Sequence, residues 1–145
     1  MIIIFDKFMK GRSIALNDKA KYWLELCEYD LETAHAMQST KRYLYGGFMC
    51  HQVVEKGFKA MLANKTDDPP PKIHDLQRLA QIGDFFDSLT DEQFALLDLL
   101  KPLQIKARYP ESKEKIAQTL SKERCEKLIV ETEEMLCWIK KKLEN

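Results

Sequence analysis

The residues best suited to chemistry lie in two short segments, Ile73-His74-Asp75-Leu76 and Ile105-Lys106-Ala107-Arg108-Tyr109-Pro110. In the second, a guanidinium, a neighbouring lysine and an aromatic ring share a loop-like context. That combination suits bidentate binding of phosphate or carboxylate, with base stacking beside it. Arg108 is therefore the leading candidate for a binding or catalytic residue, with Lys106 and Tyr109 as ligand contacts. The alternative is structural: Arg108 caps a helix end and Tyr109 packs on the core. His74 and Asp75 stand just after the triple proline at 69–71, as loop anchor and helix start or as a functional contact. His74 is thus a second catalytic candidate, and Asp75 a ligand-binding one. Three further polar residues, Gln52, Glu55 and Lys59, form a narrow stripe on an otherwise apolar helical wheel. Glu55 and Lys59 are spaced i, i+4 in the favourable order, which reads as surface pairing.

The remaining histidines carry less. His51 falls at the rim of an apolar arc and reads as a satisfied core or boundary residue, and His35 has no carboxylate at metal spacing. Cys27, Cys50, Cys125 and Cys137 are far apart, with no C-x-x-C pair, and suit small buried hydrophobes in a reducing compartment. There is no P-loop, G-x-G-x-x-G or G-x-S-x-G. Neither a metal nor a cofactor is expected.

The elements that must position these residues are helices. Residues 18–38 place Ala20, Trp23, Leu24, Cys27, Leu31, Ala34 and Met37 at three- and four-residue spacings. The next pattern, from Tyr43 to about Asn64, is apolar over more than half its circumference and must be a central helix. Pro69-Pro70-Pro71 makes a stiff connection. A short helix is expected over 74–82, and Thr90-Asp91-Glu92-Gln93 reads as a capping box for a helix that Pro102 should kink or end. Residues 104–120 read as a long loop, and 121–143 as a last amphipathic helix. The fold class is all-α, an up-and-down bundle, with residues 1–17 as an N-terminal extension and 18–145 as the domain.

The 145 residues carry 23 basic and 23 acidic side chains, so the net charge shows no footprint of phosphate-dominated binding. Locally the balance breaks: 84–98 holds Asp84, Asp87, Asp91, Glu92 and Asp98 with no basic residue, whereas 101–124 carries seven Lys or Arg against three Glu. The apolar run Met1–Phe5 is too short for a signal or a membrane span, so a cytoplasmic protein without membrane contact is expected.

Four segments occur in a recognisable order: Asp30-Leu31-Glu32-Thr33-Ala34, Gln52-Val53-Val54-Glu55-Lys56-Gly57-Phe58-Lys59-Ala60, Pro71-Lys72-Ile73-His74-Asp75-Leu76, and Ala107-Arg108-Tyr109-Pro110. In this the chain resembles the HEPN family (higher eukaryotes and prokaryotes nucleotide-binding domain) over residues 20–143. The resemblance implies a bundle of about five helices. It also implies a homodimer, nucleotide or RNA as ligand, and a small nucleotidyltransferase as partner or antidote in a toxin–antitoxin pair. Many members are metal-independent ribonucleases whose motif is an arginine followed, after a short gap, by a histidine. Here the positions where that histidine would fall after Arg108 are Lys113, Glu114 and Lys115, and no histidine follows His74. The expected function is therefore a binding module without the usual catalytic histidine. The alternative is a toxin-like ribonuclease that uses Arg108 with a non-standard acid/base.

Overall fold

A computed structural model describes residues 16–108 and 120–144. Five α-helices are present among them: α1 (Asp18–Ser39), α2 (Tyr43–Ala63), α3 (Leu76–Ile82), α4 (Asp91–Arg108) and α5 (Lys122–Glu144), with a 3-10 turn at Phe86–Ser88 before α4. The described residues contain no strand, and the all-α bundle expected from the periodicity is what forms.

Local sequence sets the helix starts. The Asn17 side chain accepts from the Ala20 amide at 2.8 Å, and the Asp75 side chain accepts from the Arg78 amide at 3.1 Å. At α4 the expected capping box closes in both directions: the Gln93 amide donates to Thr90 Oγ1 at 3.1 Å and the Thr90 amide to Gln93 Oε1 at 2.8 Å. Pro102 does not end this helix, which continues to Arg108. Proline removes one amide donor, and here the remaining turns hold because Leu103 and Ala107 beyond it are buried. Arg108 consequently sits in the last turn of α4 rather than in a loop, so that 104–108 of the expected long loop are helical, while 109–119 lie outside the described residues.

α2 is the centre of the bundle, packed against α1, α3, α4 and α5. Val53, Val54, Phe58, Ala60 and Ala63 are fully buried, as an all-round apolar helix requires. Glycines let its neighbours come close. A Cβ on Gly57 would lie 2.6 Å from Ile139 Cδ1, and one on Gly47 would lie 2.8 Å from both Leu103 and Leu120. The expected surface pairing of Glu55 with Lys59 is overturned, since both residues are buried, at 4% and 6% exposure. The wheel left them on a polar stripe, but Trp23 of α1 and the start of α3 cover that stripe. Of the cysteines, Cys27, Cys50 and Cys125 are buried as expected, whereas Cys137 is exposed. Residues 1–15 of the proposed extension and Tyr109 lie outside the described residues; Leu16 is buried in the core.

Candidate functional site

Glu55 organises the polar interior. His51 lies one turn before it and Lys59 one turn after it, so all three share one face of α2. Glu55 Oε2 accepts from Lys59 Nζ at 3.1 Å, and Glu55 Oε1 lies 3.0 Å from His74 Nδ1. Lys59 Nζ also stands 5.7 Å from the centre of the Trp23 ring. A carboxylate taken out of water costs several kcal/mol unless it is paired. Lys59 and His74 supply that pairing.

The contact with Glu55 also fixes the His74 ring. A carboxylate only accepts, so Nδ1 of His74 carries the proton that it donates. In neutral His74 the Nε2 lone pair is then free to accept, on a ring whose side chain is 46% exposed. This is the arrangement of a histidine oriented by a buried acid.

His51 differs. Its Nδ1 stands 3.7 Å from Glu55 Oε1, beyond hydrogen-bond length, and has no other partner. Burial lowers its pKa below the usual 6.5, with the Glu55 carboxylate opposing only in part. His51 is therefore neutral at physiological pH, and no ion pair with Glu55 forms. His51 is buried in the core, as the sequence suggested, with its Nδ1 the one ring nitrogen left unpartnered, and the neighbouring Gln52 Oε1 is likewise buried without a partner.

These groups face a cavity of about 190 Å3 between the start of α3 and α4, lined by His51, His74, Asp75, Leu97, Lys101 and Gln104, among others. Lys101 brings a cation to the wall opposite His74, and Gln104 an amide. Arg108 follows Gln104 by one turn of α4, and its guanidinium lies 5.8 Å from the centre of the Phe48 ring. Phe48 is itself one turn before His51 on α2. Arg108 thus belongs to the same α2–α4 seam, beyond the cavity wall rather than in it.

Of the residues singled out in the sequence, His74 and Asp75 line this cavity, with Glu55 behind His74 and Lys59 behind Glu55. Lys106 does not join them; it faces the groove between α4 and α5. Sequence reasoning missed Lys101 and Gln104, which no motif marks, and undervalued His51, whose i, i+4 spacing to Glu55 was a usable signal. Among the described residues no group of three or more His, Cys, Asp and Glu side chains is set to hold a metal ion. None of the described helices is long and apolar enough to cross a membrane.

No curated protein and no solved structure gives a significant match to the chain. A family model described as "HEPN domain" matches residues 20–143, which takes in every helix of the bundle almost from end to end and all the residues of the His74–Glu55 site. With that match spanning nearly the whole sequence, on a helical bundle of the expected class, the chain belongs to the HEPN domain family.

Proposed function

We propose that the protein is a homodimeric, cytoplasmic HEPN module that binds the phosphate of a nucleotide or RNA on the α2–α4 seam. It would act without the arginine-and-histidine motif common among the family's ribonucleases, and with a partner protein such as a small nucleotidyltransferase. One observation carries the binding site: the buried Glu55 carboxylate holds His74 at a cavity whose opposite wall is Lys101 and Gln104, with Arg108 one turn further on. Two cations and a histidine along one seam suit an oxyanion, and the largely apolar cavity beside them, lined in part by Leu76, Leu97 and Ile105, suits the face of a sugar or base.

The test is equilibrium binding of short single-stranded RNA and of nucleoside mono- and triphosphates, at two salt concentrations. The wild type should bind one of these classes more weakly at high salt, and Arg108→Ala and Lys101→Ala should each weaken binding about tenfold or more. No binding to any of them would remove the phosphate reading. For the partner, a gentle pull-down that returns no nucleotidyltransferase would count against that half.

The second reading, a metal-independent ribonuclease of the toxin type, is favoured by the Glu55–His74 contact. It leaves Nε2 of His74 able to take a proton from a ribose hydroxyl while Arg108 or Lys101 offsets charge on the phosphate. Cleavage of a tRNA mixture in EDTA, lost in both His74→Ala and Arg108→Ala, would establish it. Absence of cleavage in the wild type would leave the binding module.

A further inference from the structure

The groove between α4 and α5 lies on the other side of α4 from the cavity and has a volume of about 480 Å3. Its apolar centre is formed by Leu99 and Pro102 of α4 with Leu103 and Leu128 below them. Leu99 is 54% exposed, although it sits at the middle of a helix whose adjacent Leu96, Leu97, Leu100 and Leu103 are buried. A large aliphatic side chain exposed at the mouth of an apolar groove is the mark of an unmet partner.

Charge along this face is ordered rather than mixed. On α4, Glu92 and Lys106 each lie seven residues from Leu99, in opposite directions and on the same stripe. Seven residues are about two turns and about 10 Å of helix, so the stripe reads acid, leucine, base at equal intervals. α5 repeats the order. Leu120 and Leu103 both close on Gly47, which sets the start of α5 beside the C-terminal half of α4. Arg124 and Lys127 then line the groove near its basic end, and Glu131 follows Lys127 by one turn towards the acidic end.

From this pattern we infer that the α4–α5 groove is the face on which a second copy of this chain docks, with two α4 helices antiparallel about a two-fold axis near Leu99. A two-fold operation reverses the direction of α4, so Glu92 of each copy meets Lys106 of the other, and each Leu99 enters the opposing apolar groove. A stripe with one sign of charge at both ends would repel its own copy; a stripe of opposite ends is self-complementary. A partner of one sign of charge would match only one end of the α4 stripe. This gives the homodimer of the proposed function its interface and rests on that reading. It leaves the His74 cavity, on the far side of α4, open to ligand.

Light scattering and sedimentation of the full chain at micromolar concentration test this directly. The wild type should be a dimer. Glu92→Lys and Lys106→Glu should each weaken it by about tenfold or more, because each swap sets two like-charge contacts across the axis. The double variant Glu92→Lys/Lys106→Glu restores complementarity and should recover most of the dimer. Leu99→Asp should give a monomer with an unchanged circular dichroism spectrum. A dimer indifferent to Leu99→Asp and to both single swaps, or a double variant no better than either single, would overturn this face while leaving homodimerisation standing; a wild-type monomer would overturn both.

Discussion

At the scale of single residues, Glu55 is the side chain on which the polar interior depends. Removing its charge by Glu55→Gln leaves Lys59, 7% exposed at its side chain, without its anion. Breaking a buried pair from one side costs about 3–5 kcal/mol, so chemical denaturation should show a loss of that order. His51 predicts a pH dependence. Its pKa is lowered by burial, so below about pH 6.5 the unfolded chain takes up a proton that the folded chain resists. The stability His51 allows is complete above that pH and is lost as pH falls further. Melting temperatures from pH 7 to pH 5 should fall, and fall less in His51→Gln. Among the cysteines, burial pushes the Cys50 thiol up to about 12, and Cys27 and Cys125 are raised as well. A thiol reagent applied to native protein should therefore add once, at exposed Cys137, as intact mass would show.

Helix α2 decides most at the scale of elements, because every other helix rests on it. Its glycines are spacers. Gly57→Ala would drive a methyl to 2.6 Å from Ile139 Cδ1 and should cost about 1–3 kcal/mol through overpacking, with Ile139→Val added to the variant recovering part of the loss in thermal melts. The start of α4 is set by its capping box, and Thr90→Ala should cost about 1 kcal/mol. That box was fully legible in Thr90 and Gln93, since a cap joins residues three apart and needs nothing from the rest of the chain. Pro102 was misleading in one respect. Its local rule argues for a break, but the apolar positions beyond it, Leu103 and Ala107, hold the final turns on the bundle.

Considered whole, the molecule places its stability unevenly. α2 is enclosed by four helices, so its amides should exchange with solvent only on global unfolding, whereas seven-residue α3 should open locally. Hydrogen exchange followed by mass spectrometry would separate the two. The amino-acid sequence by itself determined the helical class, the helices among the described residues with their near-extents except the end of α4, and the order of segments that marks the family, because periodicity and caps act within a few residues along the chain. It also marked Arg108, His74 and Asp75 as residues of interest, while leaving open what they face. Only the tertiary structure decided that Glu55 and Lys59 are buried beneath Trp23 and α3, that Nδ1 of His51 is left unpartnered beside them, and that Lys101 and Gln104 complete a cavity with His74. Those relations join residues of α1, α2, α3 and α4 that no local pattern couples. Burial and electrostatics depend on what covers a face, and that is settled only when the helices pack.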